Sequence, residues 1–421
     1  MKALLVTQGS HGDVHPFIAI GKALRDRGHD VLLMTNPYFE SQIRAAGLAF
    51  AALGPHVDLK QAIAEHDVMH PRHGPRNLLR HFLLPNTLED LRRTRELIRE
   101  RADVVVYHPI VTGAAWAAEL DGRVPTVSVT PSPTLWATPG DPLVFLPSQS
   151  DSPGPASVWL GRFLSKWFLR FFLDRELNRM RHELGLGRRR DQLWGHARNA
   201  TLNLGVWSPL LRAPLPGDPA SSAVVGFTWH DRDHTQEAAG TELDAFFAAG
   251  APPIVFALGS TGVHAAARFY ECAVEACIAL DKRALLVVGR DQPAPPNMPR
   301  DGTIKAVPYA PFSSVFRRAG VIVHHGGVGT TAQGLGSGRP TLITPMAHDQ
   351  FDNAARAKRL GVSETLHFAK LATPRLAAVL GRLLRDPRYA TAAAALAPRI
   401  AAEDGARRAA ELIEALPQTR T

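Results

Sequence analysis

The run His324, His325, Gly326, Gly327, Val328, Gly329, Thr330, Thr331 sets two histidines, three glycines and two threonines side by side. An apolar strand-like run, 319–323, precedes it, and a helix is expected from about Val328. Glycine lets the backbone come close to an anion, and the first amides of a helix have no intrahelical acceptor. Gly327, Gly329, Thr330 and Thr331 can therefore offer N–H and hydroxyl groups to a diphosphate, with His324 or His325 at the same mouth. The competing reading is an ordinary tight turn from strand to helix. Beyond the next strand, 339–344, stand Asp349, Gln350 and Asn353, side chains suited to reading sugar hydroxyls by paired donors and acceptors. A diphosphate cradle with hydroxyl readers beside it implies a nucleotide sugar.

The elements that must position these residues follow from the apolar periodicity. Residues 2–7 read as a buried strand, 8–16 as a glycine-containing loop, 17–27 as a helix closed by Gly28, and 30–35 as the next strand. Strands at 103–107 and 125–130 flank a helix at 112–119 in the same order, and residues 201–203 and 224–225 end the amino half. The carboxyl half restarts with strands at 253–258, 284–288, 303–306 and 319–323, followed by alanine-rich helix over 373–416 packed on the outside. Strand–helix–strand order implies parallel, doubly wound sheets, whose ligands lie at the carboxyl ends of the strands. That rule puts Gly9 to His15, with Gly12 and Asp13 inside it, in a position for chemistry.

Length, charge and cysteines narrow the class. At 421 residues the chain calls for more than one core, and we divide it into 1–226, a polar linker 227–240, and 241–421. The net charge of +9 admits nucleic acid, an anionic membrane surface or anionic substrates. Scattered arginines, with only a short run at Arg188 to Arg190, argue against nucleic acid. Cys272 and Cys277 suit reduced packing residues, and with no secretory signal or transmembrane run the expectation is a cytoplasmic protein. Residues 131–155 read as a long loop and 158–184 as helix. Trp159, Phe163, Trp167 and Phe171 recur there every four residues beside Arg162, Lys166 and Arg170. A core helix with a solvated basic side is one reading; the other is an acceptor channel or a helix at the inner face of a membrane. Trp136, Phe163 and Trp167 are the candidate acceptor-binding residues.

GSHGDVHPFIAIG near the start, VFALGST in the middle, and HHGGVGTT with AHDQFDNA near the end resemble the family-one nucleotide-sugar glycosyltransferases of the two-Rossmann-domain type. Within it the chain is most similar, over nearly its full length, to the rhamnosyltransferases of rhamnolipid synthesis, through LRDRGHDV, SVTPSPTL, LDRELNRMRHELGL and GFTWHD. The resemblance implies two Rossmann-like domains facing a cleft, the glycosyltransferase B architecture. It also implies that Tyr309 stacks on the nucleobase, that Ser260 and Thr261 join Gly329, Thr330 and Thr331 around the diphosphate, and that Asp349 and Gln350 hold sugar hydroxyls. His325 matches the phosphate-binding histidine of plant members, and His324 that of the rhamnolipid enzymes. Asp13 occupies the place of the plant members' catalytic histidine, where bacterial and sterol members carry Gly-Asp as this chain does.

Transfer needs an acceptor hydroxyl deprotonated as it attacks the anomeric carbon and a diphosphate leaving group stabilised in place. Asp13 is the candidate base and His11 and His15 the alternatives, although Asp13 also suits a turn or helix cap. The expectation is an inverting transferase that takes no cofactor and no metal, with the nucleotide sugar as co-substrate and a hydroxy-fatty-acid lipid as first acceptor. A flavonoid, sterol or other polycyclic acceptor is the alternative. A nucleotide-sugar epimerase and a non-catalytic helper are the other classes; Asp13, Tyr309, Asp349 and Gln350 being all present argues against the helper. Asp231, Arg232 and Asp233 resemble the paired-aspartate metal signature of another transferase class, but they fall in the linker, away from any strand end.

Overall fold

A computed structural model describes residues 1–230, 238–259, 267–289 and 292–417. The amino half holds strands β1 (Lys2–Val6), β2 (Asp30–Thr35), β3 (Ala49–Ala52), β4 (Val104–Tyr107), β5 (Thr126–Thr130), β6 (Leu202–Gly205) and β7 (Ser222–Val224). They form one sheet in the order β3-β2-β1-β4-β5-β6-β7, with every neighbouring pair parallel. The carboxyl half holds β8 (Ile254–Ala257), β9 (Ala284–Val287), β10 (Ile304–Val307), β11 (Val321–His324), β12 (Thr341–Ile343) and β13 (Ser363–Thr365). Their order is β10-β9-β8-β11-β12-β13, again all parallel. The inner strands β1, β4, β8, β9 and β11 are mostly apolar runs because helices cover both faces of a parallel sheet, while the edge strands β3, β7 and β13 are partly exposed.

Strand order reverses between β1 and β4 in the first sheet and between β8 and β11 in the second. At such a point the following loops diverge to opposite faces and leave a crevice at the carboxyl ends of the strands. Four chain segments are thereby aimed at the middle of the molecule: those after Val6, Tyr107, Ala257 and His324.

The first differs from the sequence expectation. Residues 11–16 are not loop but the first turns of helix α1 (His11–Asp26). Ser10 caps it: Gly12 N–H donates to Ser10 Oγ, while Ser10 N–H donates back to the Asp13 carboxylate, closing a capping box. Gly12 and Pro16 hid this turn from a propensity reading, and the cap overrides them.

The last helix, Gly405–Glu414, also departs from expectation. Rather than covering the carboxyl half, it returns to the amino core, where Ala409, Ala410 and Ile413 pack with Val14 and Phe17 of α1. A third cluster joins the halves directly, setting Trp136, Trp207 and Phe227 against Leu335 and Ile400.

Candidate active site

Between the halves lies a cleft of about 2230 Å³. On the amino side, Asp13 is the third residue of α1. Its Oδ2 accepts hydrogen bonds from Ser10 N (2.8 Å) and Ser10 Oγ (3.0 Å), while Oδ1 lies 3.4 Å from His108 Nε2. His108 follows β4 and is buried; its Nδ1 accepts from Ile110 N at 3.1 Å, so the proton of the neutral ring sits on Nε2, facing Asp13. Burial pushes the Asp13 pKa up, but the nearby His108 imidazole and the Ser10 bonds outweigh it and hold the carboxylate below its ordinary value. The capping reading and the cleft reading thus hold together, one carboxylate oxygen serving each.

His11 and His15 line the same wall. The His15 ring meets those of His11 at 5.1 Å and His230 at 4.8 Å, and its Nε2 pairs with Gln42 Oε1 at 3.2 Å.

On the carboxyl side, helix α2 (Val328–Gly336) points its amino terminus into the cleft opposite that of α1. A methyl group on Gly12 would lie 3.8 Å from Val328. The α1 terminus is closed by Ser10 and Asp13, whereas α2 has no side-chain cap, so its first amides, with the partial positive charge of a helix start, are the ones that can make an anion site. Gly327, Gly329 and Thr330 face it, and Tyr309 lines the wall beside it.

The two histidines separate. His325 lines the cleft, its imidazole held between Gly259 and Gly327: a Cβ on either would approach the ring to 2.5 Å. His324, the last residue of β11, turns to the opposite face of the sheet, where Nδ1 accepts from Gly326 N at 3.1 Å. Consecutive strand side chains alternate in direction, so one of a His-His pair must leave the cleft, and it is His324 that does not line it. Burial lowers both, His325 to about 4 and His324, with the added charge of His325, to about 3.

Further expected contacts turn inward. Thr331 is buried off the cleft while Thr330 lines it. Asn353 is buried one turn inside helix α3 (Gln350–Arg359); its Nδ2 donates to Gly326 O (2.9 Å) and Asp349 Oδ2 (3.0 Å), so it braces the cradle and Asp349 rather than a sugar. Asp349 and Gln350 do line the cleft. Gln350 Oε1 accepts from Met346 N and Ala347 N, so its Nε2 donors are what it can offer a ligand. Burial pushes Asp349 up to about 6, helped by the facing charge of Asp13 and opposed by Asn353 and Ser132.

Of the expected acceptor residues, none faces the cleft. Trp136 is fully buried, edge to face with Trp207 at 4.7 Å. Phe163 and Trp167 lie on the outer face of the aromatic helix, whose inner face presents Leu164, Phe168 and Leu169 instead. Helical spacing gave the stripe but not which way it turns. The opposite wall comes from a stretch the sequence left unassigned, with Met69, Leu78, Phe82 and the stacked His66 and His81. His108 was also missed; its signal was its place directly after a buried strand. His348 is another, at φ +56, donating to or accepting from the amino half through Nε2 at 2.9 Å from Val68 O; since a carbonyl only accepts, His348 is the donor.

Ser260 and Thr261 lie outside the described residues, as do Asp231, Arg232 and Asp233. Among the described residues no group of three His, Cys, Asp or Glu side chains could hold a metal ion, and no helix is long and apolar enough to cross a membrane. Cys272 and Cys277 are free and buried in the second core.

Residues 3–122 match the glycosyltransferase family 28 N-terminal domain, and residues 271–416 the erythromycin biosynthesis protein CIII-like C-terminal domain. The chain is 32% identical to the O-mycaminosyltylonolide 6-deoxyallosyltransferase of Streptomyces fradiae, covering 100% of this chain and 99% of that one. It is 30% identical to an uncharacterised glycosyltransferase of Mycobacterium leprae, covering 98% and 96%. Among solved structures, the glycotransferase of kitacinnamycin superposes with a TM-score of 0.73 at 22% identity, covering 98% of each chain. The spinosyn rhamnosyltransferase complexed with thymidine diphosphate gives 0.65 at 19%, covering 98% and 100%. These likenesses give no support to the epimerase alternative. The chain belongs to the nucleotide-sugar glycosyltransferases that join a family 28 amino domain to an erythromycin CIII-like carboxyl domain.

Proposed function

We propose that the protein moves a hexose from a dTDP- or UDP-sugar, dTDP-rhamnose among them, to a hydroxyl of an apolar acceptor, with inversion and without a metal or other cofactor. The observation that carries this reading is the pairing across one cleft of the Asp13–His108 carboxylate with His325 and the amino terminus of α2. In the step, the acceptor oxygen attacks the anomeric carbon as its proton passes to Asp13, and the bond from that carbon to the diphosphate breaks with its electrons going to the leaving oxygen. The α2 amides, Thr330 and the His325 ring meet the charge that develops there. In this reading Tyr309 stacks on the base and Asp349 and Gln350 hold sugar hydroxyls; that all three line the cleft supports it.

A thymidine diphosphate complex of a structural relative supports the dTDP donor. The apolar walls from Leu78 and Phe82 to Leu164 and Phe168 suit a hydroxylated lipid chain. A flavonoid, sterol or other polycyclic natural product is the second reading, and the likeness to the O-mycaminosyltylonolide 6-deoxyallosyltransferase of Streptomyces fradiae favours a natural-product acceptor.

The test is a panel of nucleotide sugars and acceptors assayed for nucleoside diphosphate release, with Asp13→Asn alongside. The variant keeps donor binding by calorimetry and loses transfer by roughly 100-fold or more. Wild-type turnover in Asp13→Asn would sink the assignment of the base.

A further inference from the structure

Six of the eight large hydrophobic side chains exposed among the described residues lie on one helix, α4 (Pro155–Leu169), and its continuation Arg170–Asp174. Trp159 is 66% exposed, Phe163 53%, Trp167 60% and Phe171 55%, with Leu160 and Leu164 beside them. The rings stack in pairs along the stripe, Trp159 on Phe163 at 5.6 Å and Trp167 on Phe171 at 5.9 Å. The helix is already seated by its other face: Gly161 packs on Gln149, whose Nε2 donates to Ser157 O, and Phe168 and Leu169 turn toward the body of the domain. The stripe is therefore not a core face left open by a misplaced element. An apolar patch of this kind on a monomer marks a contact surface.

Charge identifies the contact. From residue 155 to 173 there is no acidic residue, while Arg162, Lys166 and Arg170 flank the aromatics. The exposed Arg188 and Arg190 lie next to Asp191, which Lys166 of the helix holds at 2.7 Å. We propose that this face docks on an anionic phospholipid bilayer, the aromatic stripe entering the interface and the flanking cations meeting the head groups. Aromatic rings beside arginine and lysine on one helix face are what such an interface binds. A twofold contact between two copies would instead bring the cationic flanks against each other. Leu164 belongs both to the stripe and to the lining of the cleft, so the docked molecule would present its acceptor mouth at the lipid surface. This last consequence rests on the reading of an apolar acceptor above.

Co-sedimentation of the full chain with vesicles of phosphatidylcholine, with and without phosphatidylglycerol, tests the proposal. Binding is expected only with phosphatidylglycerol, weakening as salt is raised, with a blue shift of tryptophan emission. W159S/F171S, with unchanged circular dichroism, should bind roughly tenfold or more weakly. Absence of binding to the anionic vesicles, or equal binding by the variant, would overturn it. So would a dimer, or a complex with an acidic protein, that forms without lipid and is lost in the variant. Nucleoside diphosphate release with a water-soluble acceptor should be the same in both proteins. No release from either would sink the transfer reading and leave the vesicle result standing by itself.

Discussion

Asp13 serves the fold with one oxygen and the cleft with the other, and His108 decides what the second can do. Because the imidazole counters the burial that would raise the Asp13 pKa, His108→Ala should let burial dominate and move the acid limb of kcat/KM to higher pH. At neutral pH the rate should fall roughly tenfold. A pH–rate profile separates this from a purely structural loss, which would lower the rate evenly at all pH. Asp349 gives a second pH dependence. Its pKa is raised to about 6, so its carboxylate is lost as an acceptor for sugar hydroxyls when pH falls through that value, and the donor KM should rise there. The stability sign is opposite. A raised folded pKa favours the folded state at low pH and loses that benefit as pH rises through about 6. Asp349→Asn should therefore raise Tm at pH above about 6, leave it little changed at acid pH, and flatten the donor KM profile.

At the scale of the element, the donor side depends on one glycine just beyond β8. Gly259 follows β8 at φ +68, and a side chain there would meet the His325 ring. Gly259→Ala should cost about 1–2 kcal/mol in the left-handed backbone and displace the imidazole, raising the donor KM severalfold. Donor titration by calorimetry, together with thermal unfolding, checks both effects. The aromatic helix shows how much of an element is legible locally. Its length and fourfold spacing were readable, but the face that turns to the cleft is fixed by where Gly161 lets the helix approach Gln149. In α1 the converse holds: the cap formed by Ser10 and Asp13 is purely local, yet the glycine and proline around it concealed the turn.

At the scale of the molecule, the halves are tied by a buried chain of charges. Asp141, on the loop after β5, accepts from Arg212 Nε at 3.0 Å and from Arg356 of α3 at 2.8 Å. Arg212 continues to Asp218, and Arg356 to Asp352 at 2.6 Å. Asp352 also takes Val144 N–H at 3.0 Å, so the loop is fastened to the donor domain twice. Asp141→Ala would leave two buried guanidinium groups with one partner fewer each and should cost about 3–5 kcal/mol, lowering Tm by about 5 degrees. Scanning calorimetry reads this directly. The segment 227–240, expected to be a linker, is itself anchored in its described part, where Phe227 and Trp229 are held by Glu403.

The sequence by itself determined the two parallel sheets and the presence of an anion cradle, because apolar strand runs, glycine turns and helix starts are decided by neighbouring residues. It also named Asp13 and Asp349 as candidates, and offered His324 with His325 and Thr330 with Thr331 without choosing within either pair. Only the tertiary structure decided that His324, Thr331 and Asn353 turn away while His325, Thr330 and Gln350 line the cleft, since a strand reverses direction at each residue and a helix by its phase. Likewise it alone brought His108 to Asp13 and turned Phe163 and Trp167 outward. Those are contacts between elements distant in the chain, set by strand order and by which face of each helix finds the core.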